Sequence, residues 1–193
     1  EGRRIYDNIR KAIQFLLASN MSEVLGVFSA SLLGFVLLNP VHLLFINLVT
    51  DCFPALALGM EKAEPDTMSR PPRNSKDGIF AGGLGFDVVY QGILVTAITI
   101  AAYLIGSSFE FGANFFDALR QAGESGHGMT MAFLTMSMCE IFHSFNMRSQ
   151  RGSIFRLCGQ NTFLLGASIL ALIATTLVCE VPLFANAFGI LFF

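Results

Sequence analysis

Three acidic residues, Glu23, Asp51 and Glu140, lie inside or beside long apolar stretches of this 193-residue chain. An ionised carboxylate at the centre of a bilayer costs at least ~2.5–3.5 kcal/mol, so acids are rare there and usually mark an ion path. Such residues normally face a bundle interior rather than lipid. The pattern predicts that the three carboxylates converge and bind a cation within a membrane.

Each of these acids has polar neighbours one helical turn away, where residues three or four positions apart share a helix face. The sets with this spacing are Asn20 and Glu23 at i and i+3, then Asn47, Thr50 and Asp51 at i, i+3 and i+4, and finally Ser137, Glu140 and His143 at intervals of three. Apart from the histidine, they offer oxygen donors, which Ca²⁺ prefers, whereas Zn²⁺ and Cu⁺ sites favour cysteine and histidine. The chemistry alone favours a hard cation: Ca²⁺, Na⁺, K⁺, Mn²⁺ or H⁺.

A proline break accompanies the second acid, because Pro54 follows Asp51 by three residues. Proline removes one helical hydrogen bond and crowds the preceding turn. Freed carbonyls at membrane depth are tolerated where they line a cavity or coordinate a cation. We therefore expect a locally unwound helix around Asp51.

Taken singly, several of these residues have ordinary structural explanations. An isolated asparagine or threonine in a membrane helix commonly serves helix–helix packing, and His143 is interpreted as an interfacial histidine rather than a ligand. The methionine and phenylalanine residues are interpreted as packing and lipid-facing residues. The cysteines are Cys52, Cys139, Cys158 and Cys179. They form no CxxC pair and are predicted to be free thiols.

Composition indicates that lipid surrounds much of the chain. It is 53% hydrophobic and 13% charged, with a mean hydropathy of +0.61, whereas a soluble chain carries about 25% charge. No charged residue occurs in 24–50, 88–109 or 157–179, and a membrane helix needs about 20 apolar residues. The first stretch contains Asn39-Pro40, which predicts a tight turn between two helices. The fold class is therefore predicted to be an all-α, polytopic transmembrane helix bundle.

We expect about five spans within one membrane domain covering 1–193. The spans are predicted near 12–36, 41–59, 85–106, 128–146 and 161–179, with cytoplasmic loops at 60–84 and 147–160. With a cytoplasmic N-terminus, every basic residue except Arg120 falls on the cytoplasmic side. This distribution agrees with the positive-inside rule.

Several strings resemble the P-type cation-transporting ATPases of the sarco/endoplasmic-reticulum calcium-pump type, and the resemblance covers nearly the whole chain. Asn47-Leu48-Val49-Thr50-Asp51 with Pro54 resembles the sixth membrane helix of that family. Ser19-Asn20-Met21-Ser22-Glu23 is similar to the ligand segment of the fifth helix. Residues 68–73 resemble the following cytoplasmic loop, and 140–146 resemble the eighth helix.

The resemblance implies a set of metal ligands. The residues matching the family's first calcium site are Asn20, Glu23, Thr50, Asp51 and Glu140, while Asn47 and Asp51 match part of the second. Sodium/potassium pumps usually carry Asp where Asn47 stands, and plasma-membrane-type calcium pumps have Gln where Glu140 stands. Retention of all three acids implies a two-calcium pump. Cys52 departs from the family, in which glycine is common at that position.

The resemblance also implies a larger parent protein, an ATP-driven Ca²⁺ translocase. ATP and Mg²⁺ would act in cytoplasmic domains that carry the DKTGT, TGES and GDGVND motifs. None of these motifs occurs here, so this chain alone is not expected to hydrolyse ATP. The expected partners are the lipid bilayer and the remaining pump domains, with no nucleic acid. The expected location is a bacterial plasma membrane, as a multi-pass protein.

Two other classes of function remain open from the residues. A secondary cation/proton exchanger could use the same carboxylates without ATP, although the chain has no internal inverted repeat of the kind that many such transporters contain. A non-transporting membrane scaffold would use the polar side chains only for helix packing. Substitution of Asp51 in the full-length parent distinguishes a scaffold from a pump.

Overall fold

The computed structural model describes residues 1–64, 67, 69, 78, 80–112, 125–149 and 161–191. These residues form helices and connections with no strand among them, which confirms the all-α prediction. The α-helices are α1 (Gly2–Leu33), α2 (Pro40–Phe45), α3 (Cys52–Gly59), α4 (Leu84–Phe111), α5 (Gly126–Asn146), α6 (Thr162–Glu180) and α7 (Pro182–Phe188). A π-helical segment, Ile46–Asp51, joins α2 to α3 without a break, and a short 3₁₀ turn, Ala81–Gly83, precedes α4.

The turn between α1 and α2 follows from local sequence. Gly34 ends α1 with φ of 85°, a left-handed conformation that glycine adopts at little cost. Pro40 opens α2 at its first turn, where the missing N–H is not needed. The helix boundary thus lies close to the expected turn at Asn39-Pro40.

Among the described residues, four helical stretches are long and apolar enough to cross a membrane: Gly2–Leu33, Pro40–Gly59, Leu84–Phe111 and Thr162–Glu180. Helix α5 is not among them. It carries Glu140 and His143 among methionines and serines, and the span expected near 128–146 stays a prediction.

The core forms where α4 packs against α1 on one side and α5 on the other. The largest fully buried side chains of its main apolar cluster are Tyr103, Phe133, Leu37, Ile46 and Met136. A second cluster around Phe15, Leu58 and Leu164 lies nearer the start of α1. Large apolar side chains also point outward from the helices, among them Val24, Leu32, Leu56, Phe86 and Phe163. Such an extensive apolar exterior is what a bilayer would cover.

Three of the cysteines, Cys52, Cys139 and Cys179, are free thiols, as predicted. Cys158 lies outside the described residues, as do Arg120, the 70–73 part of the expected 60–84 loop and most of the 147–160 loop.

Candidate cation-binding site

The three acids are buried where α1, the π-helical segment and α5 approach one another. Glu23 is 8% exposed, and Asp51 and Glu140 are each 1% exposed. The Asp51 carboxyl interacts electrostatically with that of Glu23, and Glu140 interacts with both. Three acids from three separate elements therefore share one low-dielectric environment.

The segment that carries Asp51, Ile46–Asp51, is a π-helix rather than an unwound stretch. The backbone N–H of Cys52 donates to the carbonyl of Asn47, five residues earlier. Pro54 has no N–H to give to the Thr50 carbonyl, its α-helical acceptor. The expected unwinding thus takes the form of a wider turn that remains helical, and π-turns of this kind are frequent at functional sites.

Asn47 links the π-helical segment to α1. Its Nδ2 lies 2.8 Å from both Oε1 and Oε2 of Glu23 and 2.9 Å from the Leu43 carbonyl oxygen. The amide group therefore satisfies both oxygens of one buried acid. The wider π-turn and this contact together fix where Glu23 stands relative to Asp51.

Two serines of α1, not included among the sequence-predicted ligands, contact the other two acids. Ser19 donates a short hydrogen bond to Asp51 Oδ2, and the Ser22 hydroxyl lies 3.2 Å from Glu140 Oε1. Both serines are fully buried. Their spacing could have identified them. Ser19, Ser22 and Glu23 stand at positions i, i+3 and i+4, which places the two hydroxyls on the inward face of α1.

Some buried oxygens at this site have no hydrogen-bond partner within the described part of the chain. They are Asp51 Oδ1, Glu140 Oε2 and Ser137 Oγ. An unsatisfied buried polar atom costs about 1–3 kcal/mol, and more when it is charged. A cation bound between the carboxylates would satisfy such oxygens, since hard cations take oxygen ligands.

Asn20 and Thr50, the other predicted ligands, form hydrogen bonds with backbone carbonyls one turn earlier in their own helices. Asn20 is exposed, and its Nδ2 donates to the Leu16 carbonyl of its own helix at 2.8 Å. Thr50 is fully buried, with its hydroxyl 2.8 Å from the Ile46 carbonyl oxygen. His143 lies against Phe15, with a ring-centroid distance of 5.9 Å.

The acids do not form a closed coordination sphere. Across the residues that the structure describes, no three His, Cys, Asp or Glu side chains are close enough to hold a metal ion by themselves. The Ser19 hydroxyl, the Ser22 hydroxyl and the Asn47 amide each contact one of the three carboxylates. These hydroxyl and amide groups are therefore the polar neighbours of the acids at the site.

Known proteins with similar sequences place this arrangement in context. Residues 35–191 match the family described as "Cation transporting ATPase, C-terminus". Calcium-transporting ATPase 1 of Bacillus cereus is 36% identical over 98% of this chain, and calcium-transporting ATPase of Bacillus subtilis is 39% identical over 94%. Calcium-transporting ATPase 3, endoplasmic reticulum-type, of Arabidopsis thaliana is 31% identical over 98%.

These matches cover 22%, 19% and 21% of the respective relatives, so the chain spans about a fifth of their length. The resemblance drawn from the Asn47–Asp51 string is thereby confirmed at the level of the family. The chain belongs to the family of cation-transporting P-type ATPases, of which it represents the C-terminal membrane region.

Proposed function

We infer that this chain is the cation-transporting membrane domain of an ATP-driven Ca²⁺ pump. The observation that carries the inference is a pair of carboxylate oxygens, Asp51 Oδ1 and Glu140 Oε2, that have no hydrogen-bond partner among the described residues and interact electrostatically with Glu23. The names of the relatives supply the ion, since each is a calcium-transporting ATPase. The oxygen-rich donor set is the one that Ca²⁺ prefers.

The proposed ligands are Asn20, Glu23, Asn47, Thr50, Asp51 and Glu140. In this proposal, Asp51 stands between Glu23 and Glu140 and is shared by the ions that bind on either side. Asn20 joins the site only if its side chain leaves the Leu16 carbonyl and α1 turns so that Asn20 faces inward. Binding would therefore be accompanied by a movement of α1 relative to the π-helical segment.

The proposed topology has five spans near 12–36, 41–59, 85–106, 128–146 and 161–179, with the N-terminus in the cytoplasm of a bacterium. Cations would enter from that side. ATP and Mg²⁺ would act in domains of the parent protein outside this chain. Phosphorylation there would move the polar start of α1 and expose the site to the opposite side of the membrane.

The decisive experiment is Asp51→Asn in the full-length parent, with Asp87→Asn as the matched control. Asp87 is an exposed acid in the first turn of α4. We expect Asp51→Asn to abolish Ca²⁺-dependent phosphorylation by ATP and Asp87→Asn to preserve it. Retention of function by Asp51→Asn would favour the scaffold, and Ca²⁺ uptake that needs a proton gradient but no ATP would favour the exchanger.

A further inference from the structure

We propose that Ser22 is a positioning residue for the cation site: it holds one oxygen of Glu140 and so directs the other toward the ion. The inference rests on the proposed function, because it assigns a role within the same site. It concerns a side chain that the resemblance does not assign as a ligand. It also gives α4 a part in shaping the site, although the proposed ligand set takes nothing from that helix.

The Glu140 carboxyl is held asymmetrically. Its Oε1 lies 3.2 Å from the Ser22 hydroxyl, whereas its Oε2 has no hydrogen-bond partner among the described residues. A serine hydroxyl carries one hydrogen and two lone pairs, so it can serve this oxygen as donor or as acceptor. Fixing Oε1 sets the rotation of the carboxyl group and hence the direction of Oε2.

The Ser22 hydroxyl is in turn fixed by its own helix. Its Oγ lies 2.7 Å from the Ser19 carbonyl oxygen, one turn earlier. A hydroxyl has one hydrogen, so Ser22 donates either to this carbonyl or to Glu140. With Glu140 protonated, Ser22 donates to the Ser19 carbonyl and accepts from Oε1; with Glu140 ionised around a cation, the hydrogen turns to Oε1. In both cases the fully buried Oγ stays between α1 and α5.

Helix α4 braces the Ser22 backbone from the opposite side. The Thr96 hydroxyl donates to the Ser22 carbonyl at 3.0 Å. Gly92, one turn earlier on α4, permits this approach, because a Cβ there would lie 2.6 Å from Met21 Cγ and 3.3 Å from the Ser22 nitrogen. The contacts thus run from α4 through Ser22 of α1 to Glu140 of α5.

The chain offers a matched control for a buried serine that only bonds to its own helix. Ser144 on α5 is also fully buried, and its hydroxyl lies 2.6 Å from the Ile141 carbonyl oxygen, again three residues earlier. No hydrogen bond to a carboxylate is seen for Ser144 in the described structure. A role in helix packing alone would make Ser22→Ala and Ser144→Ala behave alike.

The test uses the full-length parent and measures two quantities: the Ca²⁺ concentration for half-maximal phosphorylation, and turnover at saturating Ca²⁺. We expect Ser22→Ala to raise the half-saturating concentration about 3- to 10-fold, the size of one ordinary hydrogen bond, with turnover retained. Ser22→Thr keeps the hydroxyl and should return the value to within about twofold of wild type. Ser144→Ala should leave both quantities unchanged.

Several outcomes would overturn the proposal. These are an unchanged half-saturating concentration in Ser22→Ala, an equal shift in Ser144→Ala, or a loss confined to turnover. If Ser22→Ala fails to fold, Thr96→Val removes the brace while keeping the shape and should shift the half-saturating concentration in the same direction. Failure of the pump assignment is distinguishable, because the wild-type parent would then show no Ca²⁺-dependent phosphorylation.

Discussion

Arg148 and Glu61 form a two-point ion pair at the end of the bundle where α1 begins. Arg148 Nη2 lies 3.0 Å from Glu61 Oε1, and Arg148 Nε lies 3.2 Å from Oε2. The two side chains are only 9% and 6% exposed. Asn161 adds a contact of 2.8 Å to the same carboxylate, and Lys11 donates to the Arg148 carbonyl oxygen at 2.6 Å. One buried network therefore ties together α1 and the ends of α3, α5 and α6.

Breaking this pair from one side should destabilise the fold strongly. Arg148→Met leaves the Glu61 carboxylate buried with only Asn161 beside it, and the loss of one partner from a buried pair costs about 3–5 kcal/mol. The double variant Glu61→Gln/Arg148→Met should recover much of that loss, because no buried charge remains unpaired. Thermal unfolding in detergent measures both effects, with the exposed Lys62→Ala as control. A double variant no more stable than Arg148→Met would contradict this account.

Asn47 should govern cation affinity through Glu23. Asn47→Ala removes the amide that contacts both Glu23 oxygens and deletes a proposed ligand. We expect the Ca²⁺ concentration for half-maximal phosphorylation of the parent to rise at least about 10-fold, as loss of about 1.4 kcal/mol implies. Asn186→Ala, at an exposed position of α7, should have no effect. Equal behaviour of the two variants would argue against Asn47 as a site residue.

For the π-helical segment, the sequence predicts the position of the irregularity but not its form. Pro54 predicts a broken hydrogen-bond pattern, and the break is present, but nothing in the string determines that it takes the π-helical form. Spacing along α1 identified Glu23, and the resemblance supplied its role. The contact of Ser19 with Asp51 depends on how closely the π-helical segment approaches α1, and the contact of Ser22 with Glu140 depends on the approach of α5. The close packing of α4 on α1 at Gly92 is likewise a relation between helices, which no single-helix pattern reveals.

The placement of Asn20 shows a further limit of the sequence. Its spacing to Glu23 puts the two residues on roughly one helix face, yet Glu23 is 8% exposed and Asn20 is exposed. A helix face spans a wide arc, and neighbours in space decide which part of that arc is covered. A ligand role for Asn20 consequently depends on a change of conformation that the sequence does not encode locally.

Pro54 should lower the stability of the fold while maintaining the π-turn that cation binding needs. Pro54→Ala restores a donor for the Thr50 carbonyl, so we expect a gain of about 2 kcal/mol, the ~3 kcal/mol cost of an interior proline less about 1 kcal/mol for the freer unfolded chain. The half-saturating Ca²⁺ concentration of the parent should rise, because the wider turn beside Asp51 relaxes toward an α-helix. Pro182→Ala is the control, since Pro182 opens α7 where no donor is needed. An unchanged half-saturating Ca²⁺ concentration in Pro54→Ala would show that the π-turn is not needed for binding.

Proton counter-transport should accompany Ca²⁺ uptake by the parent pump. Glu23, Asp51 and Glu140 interact electrostatically in a buried site, and several carboxylates close together at low dielectric cannot all remain ionised once the cation has left. Protons taken up from the release side would therefore return to the cytoplasmic side. In sealed inside-out vesicles, ATP-driven Ca²⁺ uptake should raise the internal pH, as measured with a trapped fluorescent indicator. Vesicles that carry the Asp51→Asn parent provide the control, because they contain the same lipid and indicator but are expected not to take up Ca²⁺ with ATP. Uptake with no change of internal pH in vesicles shown to be proton-tight would rule out the exchange.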